Sequence, residues 1–381
     1  MKRDPKKEEE YLDQLNRNII TMLKTSLRYF LKNPALTMFI LKSIFLQKKA
    51  VALRGKWRKQ GVEVPPFMIL SITHRCNLHC KGCYARAQQA AEDVTGHGAQ
   101  CMTQHVRNTE MDDETLKRVV KEAAELGISI ILVAGGEPLL RPEILDIATA
   151  YPQIIFALFT NGLLLDEQVV KRLKKSRNIL PIISLEGGRR ETDGRRGEGL
   201  YDLLRAKISR LGTAGILSGA SFTLTSANYA LVTQGSFIND LIKAGTKVFF
   251  YVEYVPVSAG TEELVVSKEQ RAGLKETLRV FRHKLPAVFI SFPGDEEELG
   301  GCLAAGRGFV HINPGGSLEP CPFAPYSDSS LAESSLREAL NSRLLRKIRE
   351  NREILEEAGG TGGCTLWAKR DLVQALVNED R

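Results

Sequence analysis

The 381-residue chain is long enough for one large core or two modest ones, and 43% hydrophobic with 26% charged residues is ordinary for a soluble globular protein. Seven cysteines, odd in number and unevenly spread, argue against a framework of paired disulfides and for a reducing compartment. The formal charge of +8 is lopsided: residues 1–61 hold fifteen Lys/Arg against five Asp/Glu, a net +10, so the other 320 residues sum to −2.

The amino terminus, MKRDPKKEEE, is charged and has no apolar segment beside it, so no secretory signal is expected and a cytoplasmic protein is. The first 61 residues read as two helices split near Pro34. The second contains ALTMFILKSIFL, followed by QKKAVALRGKWRKQ. Twelve mostly apolar residues fall short of the roughly 20 that span a bilayer. Two readings stay open: a helix docked on the protein's own body with a solvated basic end, or peripheral contact with a membrane surface. Nucleic acid fits poorly, because the basic residues are not interleaved with several aromatics.

From Pro65 the pattern alternates. PFMILSI (66–72) reads as a buried strand, and an insertion rich in Gln, Ala and Gly runs to about Thr109. DDETLKRVVKEAAELG is a helix with acidic residues at its start and Gly127 as its stop. ISIILVA, QIIFALF (153–159), ILPIISL (179–185), ASFTLT (220–225), KVFFYVEYV (247–255) and AVFISF (287–292) read as further strands with helical stretches between them. Pro181 weakens the third of these. Strands alternating with helices imply parallel pairing and right-handed crossovers, in an α/β barrel-like or doubly wound sheet. Chemistry gathers at the carboxyl ends of such strands. Here those ends carry a cysteine-rich loop, GGEP (135–138), TNG (160–162), SLEGG (184–188), TSAN (225–228) and PVSAG (256–260).

The loop is THRCNLHCKGCYARA, residues 73–87, with Cys76, Cys80 and Cys83 inside eight positions. Three thiolates from one loop suit three corners of an iron–sulfur cube, or part of a zinc site completed by His74 or His79. CNLHCKGC has the C-x3-C-x2-C pattern of the radical S-adenosylmethionine (radical SAM) enzymes, and GGEP at the second strand's end resembles that family's second motif. The resemblance covers about residues 66–292. It implies a partial (β/α)6 TIM-like barrel and a [4Fe-4S] cluster held by Cys76, Cys80 and Cys83. S-adenosylmethionine would chelate the fourth iron and be cleaved reductively to a 5′-deoxyadenosyl radical that takes hydrogen from a substrate. It also implies cofactor contacts from Gly135, Gly136, Glu137 and Pro138, with the glycines letting backbone approach closely. Ser184 resembles a contact in the related SLDG stretch, where Glu186 stands for the common Asp, and Asn161 lines the same rim. One departure is that Gly82, not an aromatic residue, precedes the third cysteine, and Tyr84 follows it.

Cys302, Cys321 and Cys364 form a second set. FVHIN and the residues near SLEPC read as a hairpin with a Pro-Gly-Gly turn, and a helical run, 336–359, precedes Cys364. Cys302, thirteen residues, Gly316, four residues and Cys321 resemble the SPASM/twitch auxiliary-cluster extension, which implies a second Fe–S cluster. His311 is expected to face out of this hairpin, and Cys101 in the insertion to be a free thiol.

These readings predict three segments: 1–62, a basic amphipathic helical segment; 63–292, a radical SAM core barrel; and 293–381, a small α+β twitch-like domain. The expected substrate is a peptide, protein or small molecule, and the expected reductant a flavodoxin or ferredoxin. The alternatives are a membrane-associated enzyme acting on a lipid or isoprenoid-like substrate and, from another class, a non-catalytic zinc-binding module.

Overall fold

The computed structural model describes residues 5–31, 33–87, 109–299, 301–351, 355 and 364–378. Cys101 and most of the insertion around it lie outside them.

Two helices precede the sheet: α1, Pro5–Leu27, and α2, Pro34–Arg58. Pro34 sits at the first helical position, and Asn33 caps it by accepting from the Leu36 amide at 3.2 Å. Leu15, Ile19 and Leu23 line the buried side of α1, four residues apart; Leu36, Ile40, Ser43, Gln47 and Arg54 line that of α2. No described helix is long and apolar enough to cross a membrane.

Both helices close the amino-terminal floor of the sheet. The Arg54 guanidinium donates to the Gly127 carbonyl, and to Asn16 Oδ1 at 2.6 Å. Gln47 accepts from Ser129 Oγ at 2.7 Å. A polar α2 face can be buried here because those partners satisfy it.

Seven parallel strands follow: β1, Phe67–Ser71; β2, Ile130–Ala134; β3, Ile155–Thr160; β4, Ile179–Ser184; β5, Ser218–Leu224; β6, Thr246–Glu253; and β7, Val288–Phe292. The spatial order is the chain order, as right-handed crossovers of one hand produce. The connection from β1 to β2 contains α3, Asp113–Leu126. Asp112 caps it at 2.7 Å, and Gly127 ends it with φ of 92°. Pro181 sits inside β4 opposite Leu158. The ladder to β5 begins only at Ile182, so the missing N–H falls where β5 is not yet paired. A helix not foreseen from the sequence, α4, Arg189–Arg196, follows β4.

Strands β8, Phe309–Ile312, and β9, Leu318–Glu319, form the expected antiparallel hairpin, and β8 also pairs parallel with β1. That pairing corrects the expectation for His311. It belongs to a central strand with neighbours on both sides, so it is buried. It lies between Ser71 Oγ at 2.8 Å and Glu319 Oε2 at 2.7 Å. The helical run expected at 336–359 is broken: Leu336–Leu340 and Arg343–Glu350 are separate helices, the second capped by Ser342.

Candidate active site at the carboxyl rim

The cysteine loop leaves β1 and folds over the end of β2. The Gly136 amide donates to the Thr73 carbonyl at 2.7 Å, and the Glu137 amide to the Arg75 carbonyl at 2.8 Å. A Cβ on Gly135 would stand 2.5 Å from the Thr73 carbonyl oxygen, and one on Gly136 2.0 Å from that of Arg75. Here the close approach that requires glycine is by the cysteine loop itself, a different reason from the cofactor contact expected. Glu110 completes the anchor, accepting from Thr73 Oγ1 at 2.6 Å and the His74 amide at 2.8 Å.

Glu137 is 1% exposed. Its Oε1 accepts from Thr160 Oγ1 at 2.8 Å and the Leu139 amide at 3.0 Å; its Oε2 accepts from the Asn161 amide at 2.7 Å. Burial raises its pKa against the pull of those bonds. The carboxylate thus ties the ends of β2 and β3 together and retains acceptor capacity on Oε2. Pro138 opens the short 3-10 turn that follows. Asn161 reaches the cysteines: its Nδ2 donates to Asn77 Oδ1 at 2.7 Å and lies 3.9 Å from Cys76 Sγ. Burial, together with the charges of Glu137, Cys80 and Cys83, pushes the Cys76 thiol up.

Ser184 ends β4, half-buried on the same rim. Beyond it, the structure adds two residues that sequence reasoning missed. Arg195 and Arg196, on α4, converge on Glu186 Oε1, at 2.5 Å from Arg195 Nη1 and from Arg196 Nη2. Arg196 Nη1 lies 3.9 Å from Cys80 Sγ. Arg195 Nε donates to the Lys81 carbonyl at 3.1 Å, and the Lys81 amide returns a bond to the Arg195 carbonyl at 3.0 Å. Burial works against the Arg195 charge, but Glu186 outweighs it and holds the guanidinium protonated. Two guanidinium groups thus stand beside the thiols, both sharing Glu186. The run RRETDGRR, read alone, is a solvated charge cluster.

The second cysteine set also assembles. Cys302 and Cys321 are buried and Cys364 is half-buried; none is in a disulfide. Cys364 and burial together push the Cys321 thiol well up, and the Phe323 amide donates to Cys321 Sγ at 3.4 Å. Burial pushes the Cys302 thiol well up, with Glu296 and Cys364 adding to it. Glu296, buried beside them, has its carboxyl pushed up to about 8, first by burial and then by Cys364. Tyr84, next to Cys83, meets Phe323 edge-on with ring centroids 5.4 Å apart, so one aromatic contact joins the two sets.

Does the donor set suit iron–sulfur cubes? Each set offers three thiols, which a cube needs on separate irons. A single tetrahedral zinc draws sulfurs to about 2.3 Å of one point. His79 is exposed. Two polar atoms beside the loop are buried without a hydrogen-bond partner, Glu186 Oε2 and Tyr254 Oη. Such atoms cost about 1–3 kcal/mol each unless a bound group meets them. The sites fit the clusters and a polar cofactor.

The description "Radical SAM superfamily" matches residues 70–226. The AdoMet-dependent heme synthase of Methanosarcina barkeri is 27% identical over 327 residues, covering 77% of this chain and 88% of that protein. The mycofactocin maturase MftC of Mycobacterium tuberculosis is 26% identical over 332 residues, covering 80% and 77%. Among solved structures, Streptococcus suis SuiB bound to the precursor peptide SuiA superposes with a TM-score of 0.59 at 18% identity, covering 86% of this chain and 75% of SuiB. With its cysteine loop on the carboxyl rim of a parallel half-barrel, the chain carries a radical SAM domain over residues 70–226 and is similar to radical SAM enzymes over most of its length.

Proposed function

We propose that this enzyme modifies a ribosomally made peptide, using an auxiliary Fe–S cluster on Cys302, Cys321 and Cys364. What supports the reading is the Tyr84–Phe323 contact, which sets the residue after Cys83 against the residue two beyond Cys321, together with the mutual influence of Cys302, Cys321 and Cys364 on one another's thiols. MftC and SuiB, similar over most of the chain, are respectively a maturase and a protein crystallised with its precursor peptide. A small-molecule substrate is the second reading, favoured by the similarity to a heme synthase.

In this reading Cys76, Cys80 and Cys83 hold the [4Fe-4S] cluster. Held there, the cluster and S-adenosylmethionine would supply reductive cleavage and hydrogen-atom abstraction from a substrate. The chain's own residues do the rest. Asn161 Nδ2 and Arg196 Nη1 lie 3.9 Å from Cys76 Sγ and Cys80 Sγ, so both sulfurs have an N–H group beside them. Arg195 and Arg196, which share Glu186, attract the cofactor's carboxylate. Glu137 accepts from its amine, and Ser184 and Pro138 shape the rim between them. Gly135 and Gly136 let the loop seat. The barrel, 63–292, carries this chemistry, and 293–381 the second cluster. The electron comes from a flavodoxin or ferredoxin, and the protein works in the cytoplasm with residues 1–61 at a membrane's periphery.

The test is anaerobic incubation of the reconstituted enzyme with S-adenosylmethionine, dithionite and the short peptides encoded beside its gene. The expected result is a mass change in one peptide together with 5′-deoxyadenosine. Formation of 5′-deoxyadenosine with every peptide unchanged would refute the peptide reading and leave the small molecule.

A further inference from the structure

We propose that the α1–α2 hairpin is a docking face for an anionic lipid bilayer, and that it seats the enzyme with the cysteine rim turned away from the lipid. The two faces of α2, and not the chemistry of the rim, point to this role.

One face of α2 is used. Leu36, Ile40, Ser43, Gln47 and Arg54 are buried, spaced three, four and seven residues apart. The opposite face is not. Met38 is 66% exposed, Leu41 45% and Phe45 56%, and Leu31, in the turn before α2, is 64% exposed. Among the described residues only Leu203 and Leu372 are comparable large apolar side chains in solvent, and neither is near this stripe in sequence. An apolar stripe opposite a fully packed one needs a second partner.

Charge names the partner. From Gln14 to Val62 the chain contains no Asp or Glu. On the exposed face of α2, the apolar turns pass directly into Lys42, Lys48 and Lys49, all exposed. Lys49 Nζ lies 4.6 Å from the Phe45 ring centroid, so the cation and the apolar side chain share one surface. Lys24 and Arg28 are exposed at the end of α1. Apolar side chains for the acyl boundary, flanked by cations for phosphate headgroups and free of acids, describe an interfacial helix on an anionic surface. A protein partner would need matching carboxylates, and a second copy would bring like charge onto like.

Orientation follows from what the buried face touches. Arg54 binds the Gly127 carbonyl, and Gln47 binds Ser129, both just before β2. Leu15 on α1 packs where a Cβ on Gly308 would stand, just before β8, and Asn33 lies beside Gly215, ahead of β5. These are amino ends of parallel strands. The cysteines lie at the carboxyl ends, so a bilayer under α2 leaves the rim open to water, where a soluble reductant and a peptide arrive. A substrate drawn straight from the bilayer is disfavoured by this geometry.

The test is flotation of the full-length protein with phosphatidylcholine vesicles, with or without about one-third phosphatidylglycerol. Wild type floats with the anionic vesicles and not the neutral ones, and high salt releases it. Met38→Glu, Leu41→Glu and Phe45→Glu together lower binding at least about tenfold at an unchanged melting temperature; Lys42→Glu, Lys48→Glu and Lys49→Glu do the same. A tryptophan substituted for Phe45 is quenched by brominated lipid, and one substituted for Lys81 on the rim is not. Equal flotation of the apolar triple variant, or equal binding to neutral vesicles, overturns the proposal. So does a lipid-free dimer that the triple variant dissolves, which would assign the face to a second copy. Quenching at Lys81 overturns the orientation.

Discussion

Replacing Gly136 with alanine tests how the cysteine loop is held. The added Cβ would stand 2.0 Å from the Arg75 carbonyl oxygen, 2.5 Å from its carbon and 2.8 Å from the His74 carbonyl oxygen. All three are backbone atoms, so no rotamer change relieves the contact. To reach 3.0 Å the loop must retreat by about 1 Å. That breaks or stretches the Gly136–Thr73 and Glu137–Arg75 hydrogen bonds, 2.7 and 2.8 Å long. Two lost bonds at about 1 kcal/mol each, with overpacking of about 1–3 kcal/mol, give an expected loss of about 3–5 kcal/mol. Urea unfolding measures it, and iron per chain after anaerobic reconstitution shows whether Cys76 still meets its partners. Stability within about 1 kcal/mol of wild type, with full iron, would refute the idea that the loop rests on this turn.

Other outcomes follow from the same geometry. Arg195→Leu strands part of the buried Glu186 carboxylate and is expected to cost about 3–5 kcal/mol in denaturant unfolding; a loss below about 1 kcal/mol would show the pair to be dispensable. Cys302→Ala, Cys321→Ala and Cys364→Ala combined should lower reconstituted iron from about eight to about four atoms per chain, and unchanged iron would remove the second cluster. Glu296 has a folded pKa raised to about 8, so its contribution is fully present below the unfolded carboxyl range and is lost as pH rises through about 8. The metal-free protein should therefore melt lower as pH climbs across that window, and Glu296→Gln should flatten the slope. His311→Ala leaves Ser71 and Glu319 facing a void and should cost about 2–4 kcal/mol; a neutral result would make the buried network incidental.

The rim was legible because its signals are local. Cysteine spacing, the GGEP turn and the apolar strand runs each sit within a few residues, and strand alternation fixes which end they share. What needed coordinates depends on contacts between distant segments. Arg195 and Arg196 belong to a run of charges that reads as solvated until Glu186 and the Lys81 backbone close over it. His311 faces inward because β8 joins β1, a pairing 242 residues apart that no periodicity announces. Gly135 and Gly136 are expected to let backbone approach a cofactor; the backbone that approaches them in the structure is that of the cysteine loop. The exposed apolar face of α2 was hidden for another reason: its buried face carries Ser43, Gln47 and Arg54, so the residue pattern alone does not tell which side the protein covers.

The most direct measurement is 5′-deoxyadenosine released when anaerobically reconstituted protein meets S-adenosylmethionine and dithionite. The account predicts brown protein, 5′-deoxyadenosine and methionine in equal amounts, and loss of both products when Cys76, Cys80 or Cys83 is replaced by alanine. Colourless protein carrying zinc, or a fully loaded cluster that leaves S-adenosylmethionine intact under reduction, would contradict it.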